Sequence, residues 1–124
     1  MKLRELFTMK RNFRALTPPI NISLTKTAIQ LAMESHQGKQ FIPWESVRRV
    51  VAFKRDVYAH DLLCLALELE PQGVVELDES MNGWQELLDS LPEYLPGALS
   101  ADQWLPRVAF PAFKESPFDV YQRS

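Results

Sequence analysis

The sequence predicts an α+β fold: a mainly antiparallel meander of about five strands packed against a C-terminal helix, with a second short helix after it. Three observations carry this. Apolar and polar residues alternate through Ile20, Ile22 and Leu24, and again through Leu63, Leu65, Leu67 and Leu69, which is the two-residue period of a pleated strand. The period then lengthens to 3.6 at Gly83-Trp84, where Trp84, Leu87, Leu88 and Leu91 fall at i, i+3, i+4 and i+7. Between these stretches stand turn formers, above all Pro71-Gln72-Gly73 and Pro96-Gly97.

Residues 1–19 read as a separable basic arm, and residues 20–124 as one domain. In the arm, Leu3, Leu6 and Phe7 share a helical stripe until Thr17-Pro18-Pro19 stops it. Met9 reads equally as a start, which would leave residues 1–8 incidental. The apolar phase flips between Leu24 and Ile29, so residues 25–27 are expected to turn the chain between two strands. Residues 35–39 read as a loop, and Pro43-Trp44-Glu45-Ser46 as a turn or single helical turn.

Residues 47–55 then form a strand, with Val51 and Phe53 on one face and Val50 and Ala52 on the other. The leucine strand follows, with Leu62, Cys64 and Ala66 on its second face, and residues 74–78 return after the Pro71 turn. Asn82 is placed to cap the Trp84 helix with Gln85 as its capping-box partner, and Pro92 to end or kink it. Ser100 and Gln103 repeat that capping logic before Trp104, Leu105 and Val108. The aromatic tail (Phe110, Phe113, Phe118, Tyr121) shows no period and reads as an irregular strap over the core. Trp44, Trp84 and Trp104 are expected as core anchors, each burying ~150–250 Å².

Size and composition narrow the class. At 124 residues, 46% hydrophobic and 24% charged, the chain is long enough for one apolar core. Its longest unbroken apolar run, residues 62–67, is far short of the ~20 residues that span a bilayer, and the N-terminus lacks the apolar region of a signal peptide. Cys64 stands alone, so no internal disulfide forms, and a reducing cytoplasm is the expected location. Charge is uneven. Residues 1–14 hold Lys2, Arg4, Lys10, Arg11 and Arg14 against Glu5, whereas residues 66–102 hold nine acids and neither Lys nor Arg. That acidic half argues against nucleic acid as a partner.

Three constellations invite chemistry. Asp78, Ser80, Asn82 and Gly83 match the opening of a calcium loop, but position 12 falls on Asp89 and a strand precedes the loop. A strand-to-helix turn accounts for the same residues. His60 and Cys64 in an extended strand lie ~13 Å apart, too far to share a tetrahedral metal, so Cys64 reads as a buried inert thiol. Arg48, Arg49, Lys54 and Arg55 make a basic patch, in which Arg49 and Arg55 should share one face and Arg48 and Lys54 the other. They either guard a sheet edge or dock an acidic partner, for instance another copy's Glu68, Glu70, Glu76 or Asp78.

Ile42-Pro43-Trp44-Glu45-Ser46-Val47, Val51-Ala52-Phe53-Lys54-Arg55-Asp56 and Gly83-Trp84 with Leu87 and Leu88 resemble the small bacterial proteins built on a pleckstrin-homology-like or GRAM-like sheet. Leu95-Pro96-Gly97 and Pro111-Ala112-Phe113 are similar to motifs near the ends of uncharacterised bacterial proteins. The resemblance spans roughly residues 20–113 and implies a strand meander closed by one helix. It does not extend to phosphoinositide binding, because only Lys26 is charged in the first hairpin.

The expected function is a non-enzymatic interaction module for a protein partner, a second copy of the chain among the candidates, with no cofactor and no catalytic or metal residue assigned. Its candidate interaction residues are Arg48, Arg49, Lys54, Arg55, Phe113, Phe118 and Tyr121. An immunity or antitoxin-like protein holding a basic partner fits the acidic half. The alternative from another class is a small hydrolase or metal-dependent enzyme using His36, His60 and nearby carboxylates.

Overall fold

The computed structural model describes residues 20–33, 38–57, 60–109 and 117–123. Along the chain lie β1 (Ile20–Leu24), β2 (Ala28–Met33), β3 (Lys39–Pro43), a 3-10 turn (Trp44–Ser46), β4 (Val47–Val57) and β5 (His60–Leu69). They are followed by β6 (Val74–Asp78), α1 (Trp84–Tyr94), α2 (Ala101–Ala109) and β7 (Phe118–Gln122). The α+β class and both helices are as expected. The strands differ from the expected meander in forming two antiparallel sheets, β1-β2-β3 and β6-β5-β4-β7.

In the first sheet the turn at residues 25–27 forms where the apolar phase flips. Thr25 N–H donates to Ala28 O at 2.9 Å, and the Thr25 hydroxyl accepts Ala28 N–H at 3.0 Å. The register sets Ile22 opposite Leu31, Leu24 opposite Ile29, and Ile29 opposite Ile42, so one face is continuously apolar. β3 keeps the two-residue alternation, with Gln40 and Ile42 turned inward and Lys39, Phe41 and Pro43 exposed.

The second sheet sets Val50 opposite Leu67, Ala52 opposite Leu65, and Leu65 opposite Leu77, which makes its inner face. β7 joins the outer edge of β4, so the tail is not wholly the irregular strap expected of it. Its inward residues Phe118 and Val120 lie two apart and pack on the core. Phe110 and Phe113 fall outside the described residues, as do the basic arm and most of the loop after Met33.

Trp44 joins the two sheets. Its backbone N–H donates to Thr27 O at 3.0 Å and its indole N–H to Thr25 O at 2.8 Å. All three tryptophans are buried as expected, and Trp84, Leu87, Leu88 and Leu91 face the core from α1. That core is one cluster drawn from both helices, the first sheet and the inner face of the second.

The start of α1 departs from expectation. Gly83, at φ 91°, is the N-cap, and no side chain caps the helix. Asn82 is occupied elsewhere: its backbone pairs with β1 (Ile22 N–H to Asn82 O 2.7 Å, Asn82 N–H to Ile20 O 3.0 Å), and its side chain donates to Asn21 Oδ1 at 2.6 Å. Only glycine fits beside it, because a Cβ at Gly83 would fall 2.1 Å from Ile22 O. Pro92 lies inside α1 without ending it. At α2 half of the expected box forms: Ser100 N–H donates to Gln103 Oε1 at 2.9 Å, while Gln103 N–H goes to the Ser100 carbonyl at 2.9 Å instead of its hydroxyl.

Candidate functional site

β4 presents its arginines to a row of carboxylates on neighbouring strands. A register irregularity between Val47 and Arg49 breaks the simple alternation. Arg48 therefore joins Arg49 instead of facing away from it: their guanidiniums reach the two oxygens of Glu68 at 3.2 and 3.1 Å. Arg49 also holds Asp119 of β7 through Nε at 3.0 Å and Nη2 at 2.6 Å. The hydrogen bond to Asp119 pushes the Arg49 pKa up, aided by the charges of Asp119 and Glu68 and opposed by desolvation. Further along, Arg55 binds both oxygens of Glu76 and lies over the Phe53 ring, 5.5 Å from its centroid.

Lys54 stands apart from these. It is only 5% exposed, with its ammonium 3.6 Å from Asp61 and 3.4 Å from Ala109 O. Alternation explains this, because Lys54 follows Val50 and Ala52 onto the inner face. Arg123 was not among the candidates. Its guanidinium donates to Glu45 O, to Val47 O at 2.6 Å and to Glu70 at 3.2 Å, tying the end of β7 to the 3-10 turn. A shallow open depression beside it is lined by Arg48, Glu68, Glu70, the Pro71–Gly73 turn and Val74.

Of the aromatic candidates, Phe118 and Tyr121 are half-buried against the core, and Arg107 lies over Phe118 at 5.5 Å. Phe113 is outside the described residues. Among the described residues, the aromatic most open to solvent was not one of the candidates. Phe41, 57% exposed, sits in the middle of β3, which pairs only with β2 among the described strands. Its signal in the sequence was weak, a lone phenylalanine between polar Gln40 and buried Ile42.

The constellations with chemical promise are dispersed. Asp78 is 1% exposed, and its carboxylate accepts the Ser80 backbone N–H at 2.9 Å and the Ser80 hydroxyl, while Asn82 is held by Asn21. His60 opens β5, His36 lies outside the described residues, and the buried Cys64 thiol points to Leu62 O at 3.5 Å. Among the described residues no three His, Cys, Asp or Glu side chains gather as a cation site. No described helix is long and apolar enough to cross a membrane. No protein-family model, no curated protein and no solved structure matches the chain.

Proposed function

We propose that this chain is a non-enzymatic protein-interaction module that associates with a second copy along the edge of β3. One observation carries the reading: the exposed Phe41 at the centre of an edge strand. Edge strands leave backbone donors and acceptors open, and proteins usually blunt them with charge or cover. β3 carries such devices only at its ends, Lys39 and Pro43, and between them Phe41 stays in the open. Antiparallel pairing about a two-fold axis at Phe41 would set Phe41 against Phe41 and Lys39 against Pro43. The aromatic pair and main-chain bonds would hold the copies together, the pair contributing roughly 0.2–1 kcal/mol. The paired arginines of β4 have a different role in this reading: Glu68, Glu76 and Asp119 hold them within the chain.

A five-residue edge buries less than ~1,200 Å², so association is weak and follows concentration. Light-scattering mass should rise from 14.3 kDa towards twice that as protein concentration climbs. Phe41→Lys should hold the mass at the monomer value without lowering the unfolding midpoint, because Phe41 is exposed and lies outside the apolar cluster. A wild-type mass fixed at the monomer value, or dimerisation unaffected by the substitution, would refute the reading.

A further inference from the structure

The second sheet has two faces, and one of them is more deeply buried than the described elements explain. On its outward face Cys64 stands opposite Phe53 of β4 and Asp78 of β6, and Leu62 stands opposite Arg55. Leu62 is 3% exposed and Cys64 1%, yet neither belongs to the main apolar cluster. Both helices, the first sheet and the inward residues of β4, β5 and β6 make up that cluster on the opposite side. Glu76 and Asp78 of β6 are buried as well, although β6 is an edge strand paired with β5 alone among the described strands. Edge strands are ordinarily the wettest part of a sheet.

We propose that the chain's own basic segment, residues 1–19, lies across this outward face and shields it. Charge favours this occupant. The segment brings five basic residues against one acid, and the β6 border it would meet offers Asp78 and Glu79, while Glu76 already holds Arg55 of β4. Apolar pattern favours it too. Leu3, Leu6 and Phe7, at i, i+3 and i+4, would give one stripe to set against Leu62, Cys64 and Phe53. Reach is ample. The segment leads into Ile20, whose neighbour Asn21 bridges Asn82, just beyond the end of β6, so it starts at the acidic border. In helical form 19 residues extend ~28 Å, about twice the ~14 Å across four strands.

Cys64 reports on the cover directly, because a thiol reacts with an aromatic disulfide reagent only where solvent reaches it. In the folded 124-residue chain, Leu6→Glu combined with Phe7→Glu should raise the Cys64 labelling rate ~10-fold or more while the far-ultraviolet spectrum is kept. The wild-type rate should not change with protein concentration. An unchanged rate in the double variant overturns the proposal. So does a wild-type rate that falls with concentration, which points to a second copy as the cover, or exposure of Cys64 by Phe113→Glu alone, which points to residues 110–116. Should the double variant fail to fold, carbodiimide cross-linking of the wild type decides. Links from Lys2 or Lys10 to Glu79 within one chain, shown by mixing isotopically light and heavy protein, support the proposal, and their absence overturns it.

Discussion

The indole of Trp44 lies flat on the phenol ring of Tyr94, centroids 4.7 Å apart and planes within 4° of parallel. The contact ties the joint between the two sheets to the last turn of α1. The 3-10 turn and the end of α1 therefore share one aromatic stack, worth about 0.5–1.5 kcal/mol beyond simple burial.

Trp44 and Trp104 should respond differently to the same substitution. Trp44→Phe keeps an aromatic on Tyr94 but leaves Thr25 O without its 2.8 Å donor. Trp104→Phe removes an indole N–H that is buried with no acceptor among the described residues, so no bond is lost. Urea titration should show Trp44→Phe to be the more costly by about 1–2 kcal/mol. Equal losses would mean that the Thr25 bond contributes nothing.

Gly83 should tolerate no side chain. A Cβ would meet Ile22 O at 2.1 Å, and φ of 91° disfavours an L-residue independently. The left-handed conformation alone costs ~1–2 kcal/mol. Gly97→Ala, with φ of 98° and open space around it, isolates that component. Gly83→Ala should destabilise clearly more than Gly97→Ala in chemical denaturation, the excess measuring the clash between helix start and β1.

Two arginines on the same sheet should differ sharply. Arg123 donates to two backbone carbonyls and Glu70, whereas Arg48 makes one exposed ion pair with Glu68. Charge-assisted bonds contribute about 1.5–3 kcal/mol, so Arg123→Ala should cost on that order and loosen β7. Arg48→Ala should stay within about 0.5 kcal/mol. Backbone amide exchange in residues 118–122 would reveal the loosening separately from global stability.

The pair of Arg49 and Asp119 fixes a pH expectation. Asp119 raises the Arg49 pKa above the ordinary guanidinium value. The stabilisation is therefore whole at any pH below that ordinary value and is lost only as pH rises through the still higher folded value. The difference in melting temperature between wild type and Arg49→Gln should stay flat from about pH 6 to 9. A gap that closes within that window would place a different titrating group at the contact.

Much of this fold was legible because burial and alternation agree. Leu65 and Leu67, or Trp84 and Leu91, announce their faces by spacing alone. β3 and β7 were harder, since each is short and owes its strand state to a neighbour (β2 and β4) that local pattern does not reveal. Asn82 failed as a cap for a similar reason: β1, sixty residues upstream in sequence, claims its backbone. The arginine patch was visible as charge, but the irregularity after Val47 redirected Arg48, and only register exposed the role of Glu68. Phe41 was missed because one exposed aromatic has no periodic signature.

Amide hydrogen exchange across residues 39–42, followed from dilute to concentrated protein, tests the proposed association most directly. Pairing along β3 predicts that exchange there slows as concentration rises, with the amides of β6 unaffected. Exchange in β3 that is independent of concentration would contradict an association through this edge.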